Sequence, residues 1–370
     1  MTTTLSLARL GALAATSALM LGLVACSGGA STQSGHSATA GQSGDAMASG
    51  ASAGADSAIT VLSHDSFEFP QELLDRFQKD TGIKVTIQAV GDGGTLANQL
   101  VLTKDAPQGD AVYGVDNTVS YRLAGKGVIK DAGITSPDKA LDFAGEPGLV
   151  PINQGDVCVN FDKKWFTDKK LTPPATLEDL TKAEYKDLLV AMNPATSTPG
   201  MAFMLATINH FGEDGWTGYW KSLKDNGLKV SEGWSDAFNV DYSAGEGKGP
   251  RPMMVSYGSS PAYSVTEDGK DTTTASLPAT CYRQVEYAGV LEGSENADAA
   301  KKFIEFLLTP EVQATISEIT YTFPANPGAK APQTLTTFGP LSDQPVIIPA
   351  DKVASNAEQW LKTWQSTVIG

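Results

Sequence analysis

The sequence predicts an α/β protein of two lobes with a ligand cleft between them. Three observations carry that expectation. Strand and helix signals alternate from residue 58 in a β-α-β-α-β order, which argues for a parallel sheet flanked by helices. The pattern changes near residue 157, and a long strand signal over 281–291 heads back, so the chain crosses into a second lobe and returns. Small and polar residues collect directly after the strand signals, where open α/β sheets bind ligands.

The elements follow in order. Residues 58–62 (AITVL) are a β-type run. Pro70 leads into a helix over 71–81, with Leu73, Leu74 and Phe77 at helical spacing and Gly82 as its stop. Residues 83–87 (IKVTI) alternate with period two. After a turn at 91–94, Thr95 is the expected cap of a helix carrying Leu96, Leu100 and Leu102. Residues 111–115 form a third strand, and 157–161 leave the first lobe. Thr176 ahead of Leu177, Glu178 and Asp179 predicts a helix start with acids in its first turn. A strand ends at Met192-Asn193-Pro194, and helices are expected over 200–211 and 216–224. Strands follow at 229–230 and 253–257, then a helix over 297–308 with Phe303, Ile304, Phe306 and Leu307 on its apolar side. Residues 359–367, with two tryptophans, close the fold. The first lobe spans about 58–156 plus a returning C-terminal part, and the second about 160–285.

Composition narrows the partners. Of 370 residues 41% are hydrophobic, enough for a core, and the formal net charge is −15. That balance excludes a nucleic-acid partner, which needs a basic face. It suits a cationic ligand, or serves solubility alone. Residues 1–26 carry Arg9 and an apolar run over 10–23, shorter than the roughly 20 residues of a membrane span, as in a secretion signal. The end, LVAC (23–26), resembles the lipobox of bacterial lipoproteins. That resemblance implies lipid attachment at Cys26 and an extracytoplasmic, lipid-anchored chain that meets the membrane through the lipid only. Residues 27–57, rich in Gly, Ser and Ala, read as a flexible linker. Cys158 and Cys281 remain. An oxidising compartment favours a disulfide between them; two buried thiols are the alternative.

Enzyme signatures are scarce: there is no G-x-S-x-G, no phosphate loop and no H-E-x-x-H. Three histidines in the chain are too few for a metal centre of ordinary type, and no cofactor is expected. What recurs is a loop type: His64-Asp65-Ser66-Phe67, 91–94, 193–200, Gly233-Trp234-Ser235 and 257–263. Trp234, Tyr257 and Tyr263 offer ring faces to a flat cation. Asp92 offers a carboxylate to an amino group. Ser197, Thr198, Ser259 and Ser260 offer hydroxyls near helix starts, where anions are favoured.

The stretches DSF (65–67), DGGTLANQL (92–100), GVDN (114–117), NPATSTPG (193–200), GWSDAF (233–238), SYGSSPAY (256–263), QVEYAGVL (284–291) and FPANP (323–327), in this order, resemble the thiamine-binding periplasmic proteins of ABC importers. The resemblance implies the two-lobed periplasmic-binding-protein fold, binding without catalysis, and delivery of thiamine or a thiamine phosphate to an ABC permease. It implies ligand contacts at Asp92, Gly93, Ser197, Thr198, Trp234, Tyr257, Gly258, Ser259, Ser260 and Tyr263, with the ligand sandwiched between tryptophan and tyrosine faces. His64 and Tyr321 stand where the family carries tyrosine and tryptophan, and both remain flat side chains at the ligand. The alternatives are the same scaffold holding another solute (a polyamine, an oxyanion or ferric iron) and a thiamine-degrading enzyme whose nucleophile would be Cys158, two residues after Asp156.

Overall fold

The computed structural model describes residues 58–67 and 69–370; the signal, Cys26 and the linker expected within 1–57 lie outside the described residues. The strands are β1 (Ala58–Ser63), β2 (Lys84–Ala89), β3 (Ala111–Asp116), β4 (Ile129–Lys130), β5 (Val150–Asp162), β6 (Leu189–Met192), β7 (Lys229–Ser231), β8 (Met253–Tyr257), β9 (Thr274–Leu291) and β10 (Phe323–Pro324). The helices are α1 (Gln71–Thr81), α2 (Gly93–Leu102), α3 (Lys163–Lys169), α4 (Thr198–Asp225), α5 (Trp234–Asp236), α6 (Ser260–Tyr263), α7 (Ala297–Leu307), α8 (Pro310–Thr320), α9 (Gln333–Phe338) and α10 (Ala350–Trp364). Among the described residues no helix is long and apolar enough to cross a membrane.

The main path of the sheet runs β2-β1-β3-β9-β5-β8-β6-β7. At one end β2, β1 and β3 are parallel, and at the other β6 is parallel to both β7 and β8. Between them the long strands β5 and β9 pair antiparallel with each other and with their neighbours, so the sheet is mixed. These two strands pass through both halves, and their pairing slips between Pro151 and Asn153 and again between Val157 and Val159. Such irregularities bend and twist a ladder, and here they fall where the two halves meet. Each half therefore presents the carboxyl ends of its parallel strands towards a common crevice, the position the doubly wound architecture reserves for ligands.

Local physics explains most elements. α1 buries Leu73 and Phe77 and stops at Gly82, whose φ of 72° suits glycine. The two helices expected over 200–211 and 216–224 are both present within α4, which breaks at Gly212, where φ is 69° and the backbone is not helical. Two expectations need correction. α2 begins at Gly93, capped by Asp92 rather than Thr95; the Thr95 N–H instead donates to the Thr196 carbonyl at 3.0 Å, and Leu102 is 85% exposed. The stretch after Thr176 forms only short 3₁₀ turns, because Lys182 is extended and separates Glu178–Thr181 from Ala183–Tyr185.

Candidate functional site

Loops from both halves enclose a cleft of about 540 Å³. From the first half the loop after β1 contributes His64 and Asp65, and the end of α8 contributes Tyr321. From the second half the loop after β7 contributes Trp234 and Phe238, and β8 with its following turn contributes Tyr257, Ser259, Ser260 and Tyr263. The crossing strands supply the floor with Asn153, Gln284 and Glu286.

The aromatic residues form a corner. Trp234 and Tyr257 rings lie 6.3 Å apart at 53°, and Trp234 stacks on Phe238 at 4.8 Å and 10°. A ring inserted between two parallel faces needs about 7 Å, twice a carbon contact distance. This pair is neither parallel nor that far apart, so in this geometry the two rings leave no slot for a third ring between them. Both rings instead border one wall of the cleft. Trp234 is oriented by its Nε1–H, which donates to Ser256 Oγ at 3.0 Å, and Ser256 Oγ lies 3.0 Å from Ser260 Oγ. At the mouth, Tyr263 and Tyr321 meet edge to face at 5.6 Å, and Ser235 Oγ reaches Asp65 Oδ1 at 3.4 Å.

Five expected contact residues do not line the cleft: Asp92, Gly93, Ser197, Thr198 and Gly258. Their role is to join its walls. Asp92 Oδ1 accepts from the Gly93 N–H (2.6 Å) and the Thr198 N–H (2.9 Å), and Oδ2 accepts from the Trp234 N–H (3.0 Å). One carboxylate thus ties the heads of α2, α4 and α5 together. Gly93 permits this approach, since a Cβ there would stand 2.7 Å from Thr198 Cγ2. Ser197 caps α4 by accepting from the Gly200 N–H. Thr198 Oγ1 accepts from Gln284 Nε2 at 3.2 Å. The Gly258 N–H donates to the Asp156 carbonyl at 2.6 Å, beside Cys158.

Cys158 and Cys281 form a disulfide between β5 and β9. Asp156 is held by Arg283 (2.5 Å) and by the Ser342 N–H (2.5 Å). Cys158 therefore has no free thiol to act as a nucleophile and no free carboxylate beside it. Among the described residues no group of histidine, cysteine and carboxylate side chains is arranged to hold a metal ion.

The floor is acidic. Glu286 Oε2 accepts from Asn153 Nδ2 at 2.7 Å, and Glu286 Oε1 lies 3.2 Å from His64 Nε2, each side chain 12% exposed. Burial lowers the His64 pKa, but Glu286, helped by Asp92 and Asp65, overrides that and raises it above its ordinary value. Burial raises the Glu286 pKa, and the imidazolium more than reverses that, so the carboxylate stays below its ordinary range. Burial, with Glu286, Asp92 and Asp116 nearby, raises the Tyr257 phenol well above its usual range. Among the residues lining the cleft, Asp65, Glu246 and Glu286 are acidic, His64 is the one basic side chain, and none is lysine or arginine. Residue-type reasoning passed over Asn153, Phe238, Ser256, Gln284 and Glu286. The last two had a signal: in QVEY they stand two apart, so a strand puts both polar groups on one face.

A two-lobed α/β fold with loops closing on one cleft is suited to holding a small solute. The chain matches the family model for bacterial extracellular solute-binding proteins over residues 72–339, and it belongs to that family. It is similar to the thiamine-binding periplasmic protein of Brucella suis biovar 1 (strain 1330), with 28% identity over 312 residues, 83% of this chain and 90% of the relative. It is similar to the thiamine-binding periplasmic protein of Escherichia coli (strain K12), with 27% identity over 329 residues, 84% and 93% of the two chains. A solved structure described as a periplasmic thiamin binding protein superposes with a TM-score of 0.74 at 24% identity, covering 84% of this chain and 96% of that one. That last likeness speaks for the fold.

Proposed function

We propose that this protein binds thiamine outside the cytoplasmic membrane and delivers it to an ABC permease, without catalysis. The observation that carries the reading is the charge and shape of the cleft: an aromatic corner of Trp234 and Tyr257 above an acidic floor, with no lysine or arginine in its lining. Thiamine brings a cationic thiazolium and a flat aminopyrimidine. A cation over a tryptophan or tyrosine face gains about 0.5–2 kcal/mol, and carboxylates complete the match. The names of the relatives support the same ligand.

The lining also speaks to phosphorylation state. A phosphate ester would face Asp65 and Glu246 with no cation free to meet it, and like-charge juxtaposition is costly. Thiamine is therefore the preferred ligand, ahead of its mono- and diphosphate, by more than about tenfold (about 1.4 kcal/mol). In this reading Asp92, Gly93, Ser197, Thr198 and Gly258 act by holding the walls together, and His64, Trp234, Tyr257, Ser259, Ser260, Tyr263 and Tyr321 meet the ligand. Delivery depends on a lipid at Cys26 with residues 27–57 as the tether.

The test is titration calorimetry with thiamine and both phosphates, alongside mass spectrometry of any small molecule that co-purifies. Saturable binding of thiamine, weaker with each added phosphate, is expected. Failure of all three to bind, or a polyamine or oxyanion found in their place, would remove the reading. Cys26→Ser should release the protein from the membrane fraction; continued membrane association would reject the anchor.

A further inference from the structure

We propose that a cationic ligand docks beside Glu286 in exchange for the proton on His64, so that each cation taken up expels one proton. This rests on the reading of the cleft as a cation site. His64 and Glu286 both line the cleft, so a ligand on its floor meets the pair and not an isolated carboxylate. His64 is wedged in place: a Cβ on Gly114, whose φ is 93°, would collide with its ring, and its Nδ1 is paired with Ser66 Oγ at 2.9 Å. Its buried Nε2 stands 3.2 Å from Glu286 Oε1, outside the geometry of a well-formed hydrogen bond. The contact is long and poorly aligned, held mainly by charge, and a competing cation can take it over.

The groups facing His64 explain the direction. They are Glu286 from β9, Asp92 from the head of α2, Asp65 from the same loop and Tyr113 from β3, whose ring centre is 6.1 Å away; Phe67 adds an apolar face at 6.0 Å. The imidazolium persists because Glu286 outweighs burial. Once the ligand's positive charge claims Glu286, burial and mutual repulsion both act against a second cation. The Nε2–H bond then breaks, its electron pair stays on the imidazole and the proton passes to solvent. Glu286 remains matched by one positive charge before and after. By linkage, affinity rises with pH while His64 is protonated in the free protein and levels off above its pKa.

Calorimetry of the full chain with thiamine, in buffers of different ionisation heat at about pH 6, counts the protons released. About one is expected, with Kd falling about tenfold per pH unit below the His64 pKa. His64→Gln should bind with no such slope and without that proton. Asp116, pushed up to about 6 by burial and bonded to Gln284, titrates in the same window; it is retained in the variant, so the difference between the two proteins isolates His64. Should the variant not fold, an imidazole NMR titration of the unaltered chain decides. The His64 pKa should drop by at least about one unit on saturation. Thiamine binding with an unmoved His64, or the same proton release from His64→Gln, would overturn the exchange and leave the cation site standing. No thiamine binding at any pH would remove both.

Discussion

Replacing Asp92 by asparagine separates a carboxylate that holds the cleft together from one that touches the ligand. In the structure its oxygens receive the Thr198 N–H at 2.9 Å and the Trp234 N–H at 3.0 Å, besides the local bond to the Gly93 N–H. An amide nitrogen cannot accept, so Asp92→Asn leaves either Thr198 or Trp234 without its acceptor. A hydrogen bond to a charged group contributes about 1.5–3 kcal/mol. Burial offsets part of this, because it raises the Asp92 pKa in spite of the amides that favour the anion. The expected loss is therefore about 1–2 kcal/mol for Asp92→Asn and about 3–5 kcal/mol for Asp92→Ala, which strands both long-range amides. For a domain of this size the asparagine variant should melt about 1.5–3 °C lower. Thiamine should bind it up to about tenfold more weakly, the full loss arising where the amide nitrogen turns towards Trp234 and takes away its backbone anchor. Urea denaturation and calorimetry read the two quantities on one preparation. A variant as stable as the parent but unable to bind would mean that the carboxylate meets the ligand directly. No change in either would mean that the three-helix tie has no energetic weight.

Other substitutions probe independent features. Trp234→Ala should cost about 2 kcal/mol of thiamine binding, about thirtyfold, with the melting point nearly unchanged; parent-like affinity in calorimetry would refute the aromatic corner. Asp116 is pushed from 3.8 up to about 6 by burial. Its folded pKa lies above the unfolded one, so the folded protein binds more protons across pH 4–6 and loses up to about 3 kcal/mol as pH rises through that window. Asp116→Asn should flatten that slope, its amide oxygen still accepting from the Thr118 N–H and hydroxyl while the Gln284 amide turns over to accept from the new amide nitrogen; an unaltered slope would assign it to other groups. The disulfide spans 123 residues, and the paired Cys158→Ser and Cys281→Ser variant should lose about 2–4 kcal/mol, seen as a lower urea midpoint. An unchanged midpoint would mean the bridge constrains nothing that unfolding releases.

The legible parts of the fold are those governed by near neighbours. α1 carries its apolar spacing and its glycine stop in eleven consecutive residues, and Gly212 interrupts α4 between the two apolar runs over 200–211 and 216–224. The antiparallel course of β5 and β9 is less visible, because both are buried along most of their length and long buried strands lack alternation. The first residues of β9, 274–280, are spaced with Thr and Pro and read as loop until their pairing with β5 is known. At the site, the loops were legible because polar residues directly after a strand are conspicuous. Their direction was not. Asp92 has the residue type of a ligand acceptor, yet extended backbone at residue 92 points its oxygens at three amides. Glu286 was hidden for the opposite reason: it lies inside a strand, where a lone acid reads as an exposed position until β5 brings Asn153 opposite and β1 brings His64 beside it.

That division of labour bears on how selectivity arises. Had Asp92, Ser197 and Thr198 faced the ligand, an aminopyrimidine and a phosphate would each have found a dedicated partner. Instead their hydrogen-bonding capacity is spent between helix heads and the floor strand, and the cleft is lined by rings, hydroxyls and the carboxylates Asp65, Glu246 and Glu286. Ring faces and hydroxyls tolerate many flat molecules; net negative charge without lysine or arginine does not tolerate an anion. On the proposed reading, discrimination by this cleft resides in charge more than in shape. The residues that set it, His64 and Glu286, sit where the loop after β1 meets a crossing strand, so any movement of the two halves that shifts β9 against β1 changes the charge the ligand encounters.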